Sequence, residues 1–403
     1  MAYREGDRIA WTPGAALFSD FARTGPPDYD DYYHLLAELG DASRGLDRVL
    51  LYEGSRGCWW GEKHHCTFCG LNAQSMKFRA KPPEQVARDM TYLSSRYDTS
   101  RFRLVDNIID MKYVDNLFGK FAAAHCDLDV FIETKSNLQK SQIRTLAAGG
   151  VKCMQPGLES MSVSQLRAMD KGVTPMQNIV CLKWSFYYRI TVSWNILLGF
   201  PGETNEDYRR QISLIPSLLH LQPPEATGKF WLERFSPYYT KPHEYGVRIT
   251  GPGIAYEYVY DARRLDLNKV AYDFEYELDD WPVDPHVYQE LVAAIENWQR
   301  LHASNDRPFL YYSKALDYVA VYDGRQPQAP VRRRYDGLAG KLIELCNEAP
   351  KSVEQMRGVV NDGSGSDERQ ELDAALSRLV ADRVLYEERG KYFTLAIPEN
   401  PYL

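Results

Sequence analysis

Between residues 48 and 235 the chain alternates short β-favouring runs with helical stretches, and no other feature narrows its fold as far. The runs "RVLLYEG", "FRLVDN", "LDVFIETK", "VKCMQPGLES", "ITVSWNILLGF" and "EATGKFWLERF" read as strands. They are nearly continuous apolar stretches, as expected of strands covered by helices on their faces. Between them "KPPEQVARDMTYLSSRY", "KYVDNLFGKFAAAH", "NLQKSQIRTLAAGG", "TPMQNIVCLKWSFYY" and "NEDYRRQISLIPSLLH" read as helices. Asn137 is the expected N-cap of the third helix. Thr174 with Pro175 opens the fourth. Strand–helix alternation of this kind makes a parallel sheet. Six units fall short of the eight of a closed barrel. They suit an α/β fold in which a partial (β/α)6 barrel stays open. A flat, doubly wound sheet has the same pattern and stays open as an alternative.

The rest of the chain divides around this core. Residues 1–45 form an N-terminal extension with a short helix ending at Gly40, and the core spans 46–237. Residues 238–330 are an α+β extension rich in tyrosine and acid, a candidate substrate region. "RQPQAPVRRRYDG" reads as a linker by its proline and charge content, with "VRRRY" solvated. Residues 336–403 hold three helices, a polar loop "NDGSGSDE" and a hairpin turning at Arg389-Gly390, an arrangement like a winged helix. With 403 residues there is ample length for a real core. The net charge of −7 argues against a general nucleic-acid binder, which needs a basic face. No apolar run approaches the length of a membrane helix, and the N-terminus lacks the apolar centre of a signal peptide. A cytoplasmic location is expected. There, seven cysteines are free thiols or metal ligands rather than a disulfide framework. Cys126, Cys153, Cys181 and Cys346 are scattered and read as ordinary packed thiols.

The other three cysteines crowd one loop directly after the first strand. In "GSRGCWWGEKHHCTFCGLN", seven residues separate Cys58 from Cys66 and two separate Cys66 from Cys69. A structural zinc site closes with four ligands, and His64 or His65 supplies a fourth. A redox pair explains Cys66 and Cys69 but leaves Cys58 without a role. A 4Fe–4S cluster on three thiolates uses all three and leaves one iron open to a small molecule. In barrel folds, sites form in the loops that follow the strands, which is where this loop lies.

The loop resembles that of the radical S-adenosylmethionine (SAM) superfamily. More closely it is similar to radical SAM enzymes that mature ribosomally made peptides, a group usually fused to a cobalamin-binding domain. That group also has seven residues between its first two cysteines. "DYDDYY", "LVDNIIDMKY", "IETKSNL", "QPGLES", "GFPGET" and "ERFSPYY" follow the same group in order, from about Pro27 to Tyr239. The resemblance implies a TIM-like radical SAM barrel. It implies that Cys58, Cys66 and Cys69 hold the 4Fe–4S cluster and that the open iron takes the amino and carboxylate groups of SAM. Phe68 then lies near the adenine, Asp106 and Asn107 near the SAM amino group, and Glu159 and Ser160 near the ribose.

Polar residues on the other strands, Glu133, Lys135, Asn195 and Arg234, are expected to line the same site, because an unpaired buried charge is costly in a core. An internal ion pair of Glu133 with Arg234 is the competing reading. Trp59 and Trp60 are expected to shield the cluster, and His64 and His65 to hydrogen-bond within the loop. "GFPGET" reads as a tight turn feeding a helix rather than a phosphate loop.

The chemistry implied is reductive cleavage of SAM, fed by an electron donor such as flavodoxin or ferredoxin. A radical then takes hydrogen from a precursor peptide, and carbon is methylated from methylcobalamin. Only about 57 residues precede Cys58, too few for a cobalamin-binding domain. A separate cobalamin-binding chain, a lost start or a different peptide modification are the three expectations that follow. The rival classes are a zinc scaffold and a radical enzyme acting on RNA or a small molecule, since "GFPGET" also occurs in RNA methylthiotransferases.

Overall fold

The six expected strands exist, and they lie side by side in the order in which the chain makes them. A computed structural model describes residues 2–12, 18, 20–43, 45–46, 48–72, 75–360 and 366–402. In it β1 (Leu50–Tyr52), β2 (Arg101–Leu104), β3 (Asp129–Glu133) and β4 (Val151–Gln155) are all parallel, and Thr191–Val192 continues the sheet beyond β4. Then β5 (Asn195–Leu198) pairs in parallel with β6 (Ala226–Lys229). A single parallel bridge from Glu159 to Ile196 ties that pair to the chain leaving β4. Helix α1 (Pro83–Tyr97) joins β1 to β2. A π turn at Val114–Phe118 leads into α2 (Gly119–Ala123) before β3, and α3 (Lys140–Ala148) precedes β4. Helix α4 (Pro175–Tyr187) follows β4, and α5 (Asn205–Leu218) links β5 to β6.

Strand order decides between the two architectures. A doubly wound sheet reverses its order at a switch point and carries helices on both faces. An unreversed order with right-handed crossovers places every helix on one face, so the sheet curls around its own side chains. The fold is a partial barrel. The sheet face turned to the helices is dry: Tyr52, Phe102, Leu104, Val130, Ile132, Met154 and Ile196 are each at most 1% exposed and pack with Val86, Met90, Ile143 and Leu146 of the helices, while Arg101, Arg103 and Asp129 on the opposite face are half-buried.

Local signals held with some shifts. Thr174 caps α4, accepting from Gln177 N–H at 3.3 Å. The cap of α3 is Gln139, not Asn137, because Gln142 Oε1 reaches back to the Gln139 N–H at 2.9 Å and completes a box two residues later. The fifth run breaks at Ser193–Trp194, where buried Trp194 turns its indole N–H to Gln222 O. The sixth breaks after Lys229, and Leu232–Glu233 pairs instead with a second, antiparallel sheet.

That second sheet is β7 (Val247–Pro252) against β8 (Asp273–Leu278). It closes over Met169, Phe200, Phe230 and Tyr238 as a second small core. Helix α6 (Pro285–Ala303) packs on α5. The expected strand–turn–strand is β9 (Leu310–Lys314) with β10 (Tyr318–Asp323). The expected linker is not one: β11 (Val331–Asp336) pairs with β10 along its full length, and Tyr335 is buried with its hydroxyl on Asp382. Proline and charge content hid a strand whose arginines pair along an exposed edge. The tail follows as α7 (Gly337–Leu345), α8 (Val353–Val360), α9 (Ser366–Ala381) and the hairpin β12 (Leu385–Glu388) with β13 (Lys391–Thr394). Residues 361–365 of its expected polar loop lie outside the described residues. The tail shares one continuous apolar core with the barrel.

Candidate active site

The cysteine loop is tied to its surroundings at several points, which fixes where its thiols stand. It begins right after β1, at the C-terminal rim of the sheet. The Cys58 N–H donates to Met76 O at 3.2 Å, and Thr67 N–H to Met169 O at 3.1 Å. Trp59 donates its indole N–H to Ile109 O at 3.1 Å and Trp60 to Asp170 O at 2.8 Å. The two tryptophans thus pin the loop to the segments after β2 and β4. Gly172 is required beneath Trp60: its φ is +59°, and a Cβ there would lie 2.0 Å from the indole ring.

His65 hydrogen-bonds within the loop, as expected: its Nε2 pairs with Cys69 O at 2.8 Å. His64 instead stacks on Trp60 at 4.0 Å and lies 3.7 Å from Asp170, outside the loop. Among the described residues no three His, Cys, Asp or Glu side chains converge closely enough to hold a single ion. Three thiolates on a four-iron cube need no such convergence, because each binds a different iron.

The three cysteines are half-buried and unbonded to one another. Burial pushes the Cys66 thiol up, and that of Cys69 up to about 12. Two cations stand beside them. Lys171 is held by Glu159 at 3.2 Å. Burial works against its charge, but Glu159, Cys66 and Cys69 outweigh burial and keep it protonated. Lys135 is 5% exposed and lies against the Trp60 ring, and burial brings its amine down to about 8. A nest of thiols with two lysines suits an anionic iron–sulfur group: thiolates ligate it and the ammonium groups offset its charge.

The remaining expected site residues separate into two groups. Phe68, between the paired cysteines, packs edge-on against Phe200 at 5.8 Å. With Asn195, Thr227, Gly228, Trp231 and Glu233 it lines a cleft of about 420 Å³. Glu159 lies beside Cys66 through Lys171. Asn107 reaches Asn72 at 3.0 Å in the loop after the cysteines. Glu133 is half-buried with no ion pair among the described residues, and burial raises its carboxyl.

The others face inward or elsewhere. Asp106 is fully buried, and its Oδ1 accepts from Gly54 N–H at 2.7 Å and Ser55 N–H at 2.8 Å. It shapes the start of the cysteine loop from beneath. Ser160 is buried among Gln165 and Gln211. Arg234 donates to Ala271 O and Asn268 O and to the Tyr239 hydroxyl, so the alternative pair with Glu133 does not form.

The turn in "GFPGET" is structural, as expected. Glu203 is 2% exposed and accepts from Gly199 N–H, Gln165 Nε2 and the Tyr208 hydroxyl. Sequence reasoning missed Lys171 and Glu233, which accepts from Gly70 N–H at 2.7 Å. Lys171 belongs to no strand run, so periodicity held no signal for it; Glu233 lies in the sixth run, directly before Arg234, which was expected to line the site in its place.

With this geometry in view, comparison with known proteins is direct. Residues 52–215 match the family described as the radical SAM superfamily. They form a radical SAM domain. The chain is 22% identical over 222 residues to an uncharacterized methyltransferase of Pyrococcus horikoshii, covering 54% of this chain and 46% of that protein. The cobalamin-dependent SAM radical enzyme OxsB superposes with a TM-score of 0.50 at 12% identity, covering 95% of this chain and 51% of that one. The radical SAM methyltransferase TsrM from Kitasatospora setae gives a TM-score of 0.47 at 16% identity, over 62% and 52%. The chain spans about half the length of each of these relatives.

A radical SAM domain implies a 4Fe–4S cluster and SAM. The residues at this rim suit the cluster by the chemistry of their donors. No helix among the described residues is long and apolar enough to cross a membrane.

Proposed function

We propose that this chain is the barrel of an enzyme that cleaves SAM reductively and methylates a carbon of a ribosomally made peptide. The observation that carries the reading is the loop after β1, with three thiols beside Lys171 and Lys135 at the mouth of a cleft. Cys58, Cys66 and Cys69 hold the cluster. A cluster held there would supply the electron that splits SAM into methionine and a carbon radical able to take hydrogen from an unactivated position.

The chain's own residues position and shield that chemistry. Trp59 and Trp60 fix the loop against neighbouring segments and keep water from the thiols. Phe68 gives one apolar wall for the adenine, and Asn195 and Glu233 offer polar contacts on the other side of the cleft. Glu159 keeps Lys171 charged and aimed at the thiols. Glu133 lines the same rim from β3. Asp106 and Ser160 serve from behind, by shaping the segments that carry these groups.

Methyl transfer is supported by the name of the Pyrococcus horikoshii relative, and a peptide substrate by the open groove that continues the cleft. Methylcobalamin is the methyl carrier in this reading, brought by a partner chain or another part of a longer protein. Residues 2–11 and 21–43 of this chain form a hairpin and short helices. Flavodoxin or ferredoxin supplies the electron, in the cytoplasm.

The test uses anaerobically reconstituted protein, methylcobalamin, dithionite, SAM carrying a deuterated methyl group, and the small peptide encoded beside the gene. The expected product is that peptide with one deuterated methyl on carbon. An unmodified peptide alongside ongoing SAM cleavage would overturn the methylation and leave the radical chemistry standing.

A further inference from the structure

Two strand edges that are unpaired among the described residues face one groove. Among the described residues strand β6 bonds only to β5, so residues 226–229 present a free edge. Strand β8 bonds to β7 along its length, but on its other side Leu232–Glu233 covers only residues 273–274. Residues 275–278 are therefore free on that side. Between the two edges runs a groove of about 720 Å³, which shares Gly228, Lys229 and Trp231 with the cleft at Phe68.

Natural sheets usually cover, shorten or charge such edges, because an open edge recruits another strand. Here the edge is kept clear. Gly228 has nothing within 4 Å of where its Cβ would lie, although its φ does not require glycine. Glycine within a strand marks a place where another backbone approaches closely. Trp231, between groove and cleft, is 75% exposed. The groove carries Asp273 and Glu275 against one base, Lys229, which itself lies 4.5 Å from the Trp281 ring, while Glu277 on the same edge is already paired with Arg248 of β7.

We propose that this groove binds an extended, lysine- or arginine-bearing segment of the peptide substrate as an added β-strand. The free edges of β6 and β8 pair with its backbone, and the acidic side chains and tryptophans take its cations. The strand direction leads the neighbouring residues of the peptide into the cleft at Phe68. The inference rests on the peptide reading above and adds how the peptide is held.

The probe is a fluorescein-labelled octapeptide of alternating valine and threonine with two lysines, used with the full chain. Its twin carries N-methyl groups on alternate residues, and a second twin has glutamates for the lysines. Anisotropy gives affinity, and hydrogen exchange locates the site. The expected result is saturable binding with slowed exchange at 226–229 and 275–278, lost with the N-methylated twin and with the glutamate twin. Gly228→Val puts a side chain into the groove, its Cβ meeting nothing within 4 Å, and should abolish binding at unchanged Tm. Glu275→Lys should weaken it roughly fivefold or more.

Equal binding of the N-methylated twin, protection elsewhere, or no binding overturns the strand-addition site. SAM cleavage by the same wild-type preparation is scored in parallel. If 5′-deoxyadenosine forms while the groove stays empty, the docking proposal alone has failed.

Discussion

Asp106 shows how a residue in the expected place can have a different task. It ends the second strand run, as a SAM-contacting group would, yet its side chain turns under the loop. Oδ1 holds two N–H groups, and Oδ2 is buried with no hydrogen-bond partner among the described residues. Burial pushes its carboxyl up to about 7, against an ordinary value near 4. A raised carboxylate favours the folded state in its protonated form. Its contribution is full below about pH 4 and lost as pH rises to about 7, with a slope of at most about 1.4 kcal/mol per unit. Asp106→Asn should flatten that part of the profile, read as urea midpoints at pH 4 to 8; an unchanged slope would show that Asp106 is not the group responsible.

Lys171 makes the complementary case, unseen in the sequence and central in space. Lys171→Met should make the reconstituted cluster harder to reduce, because a cation beside its thiolates is gone, while Lys171→Arg should restore most of the potential. A redox titration followed by electron paramagnetic resonance reads both, and an unshifted potential in the Met variant would remove Lys171 from this role. The thiols were legible because three cysteines at fixed spacing have few explanations. Of their supporting charges, Lys135 and Glu159 end strand runs and were legible too, whereas Lys171 comes from a segment that carries no periodic pattern.

At the scale of elements, the alternation of strands and helices predicted the barrel because each run had to be apolar to be covered on its face. It could not predict strand order, and order is what separates the curled sheet from a flat one. Breaks within the fifth and sixth runs were also hidden, since both halves of each are β-favouring. The cysteine loop depends on its supports as much as on its thiols. Gly172→Ala would push a methyl into the Trp60 ring at a backbone angle unfavourable to side chains. The variant should lose about 1–3 kcal/mol and bind iron poorly, measured by thermal unfolding and iron content. Wild-type iron content with wild-type Tm would mean that Trp60 does not anchor the loop.

Across the whole molecule, the tail is a cover for the barrel rather than a separate lobe. Helix α4 is buried on nearly all sides, from Pro175 to Ser185. A helix apolar all round needs neighbours all round. "PMQNIVCLKWSFY" carried that signal, and the winged-helix-like unit supplies the outer neighbour. Lys183, fully buried in α4, donates to Asn347 Oδ1 and Thr394 O, both at 2.6 Å. A chain ending at residue 336 should therefore fail to fold as a soluble monomer, seen as collapsed hydrogen-exchange protection of α4; native protection there would contradict a shared core.

What the molecule is for depends on the loop at the barrel's rim, and one measurement bears on it most directly. Anaerobically reconstituted protein is mixed with SAM and dithionite, and the products are separated by chromatography. The account predicts 5′-deoxyadenosine and methionine from the wild type, and none from Cys58→Ala, Cys66→Ala or Cys69→Ala. Wild-type protein that binds iron and sulfide yet forms no 5′-deoxyadenosine would contradict it.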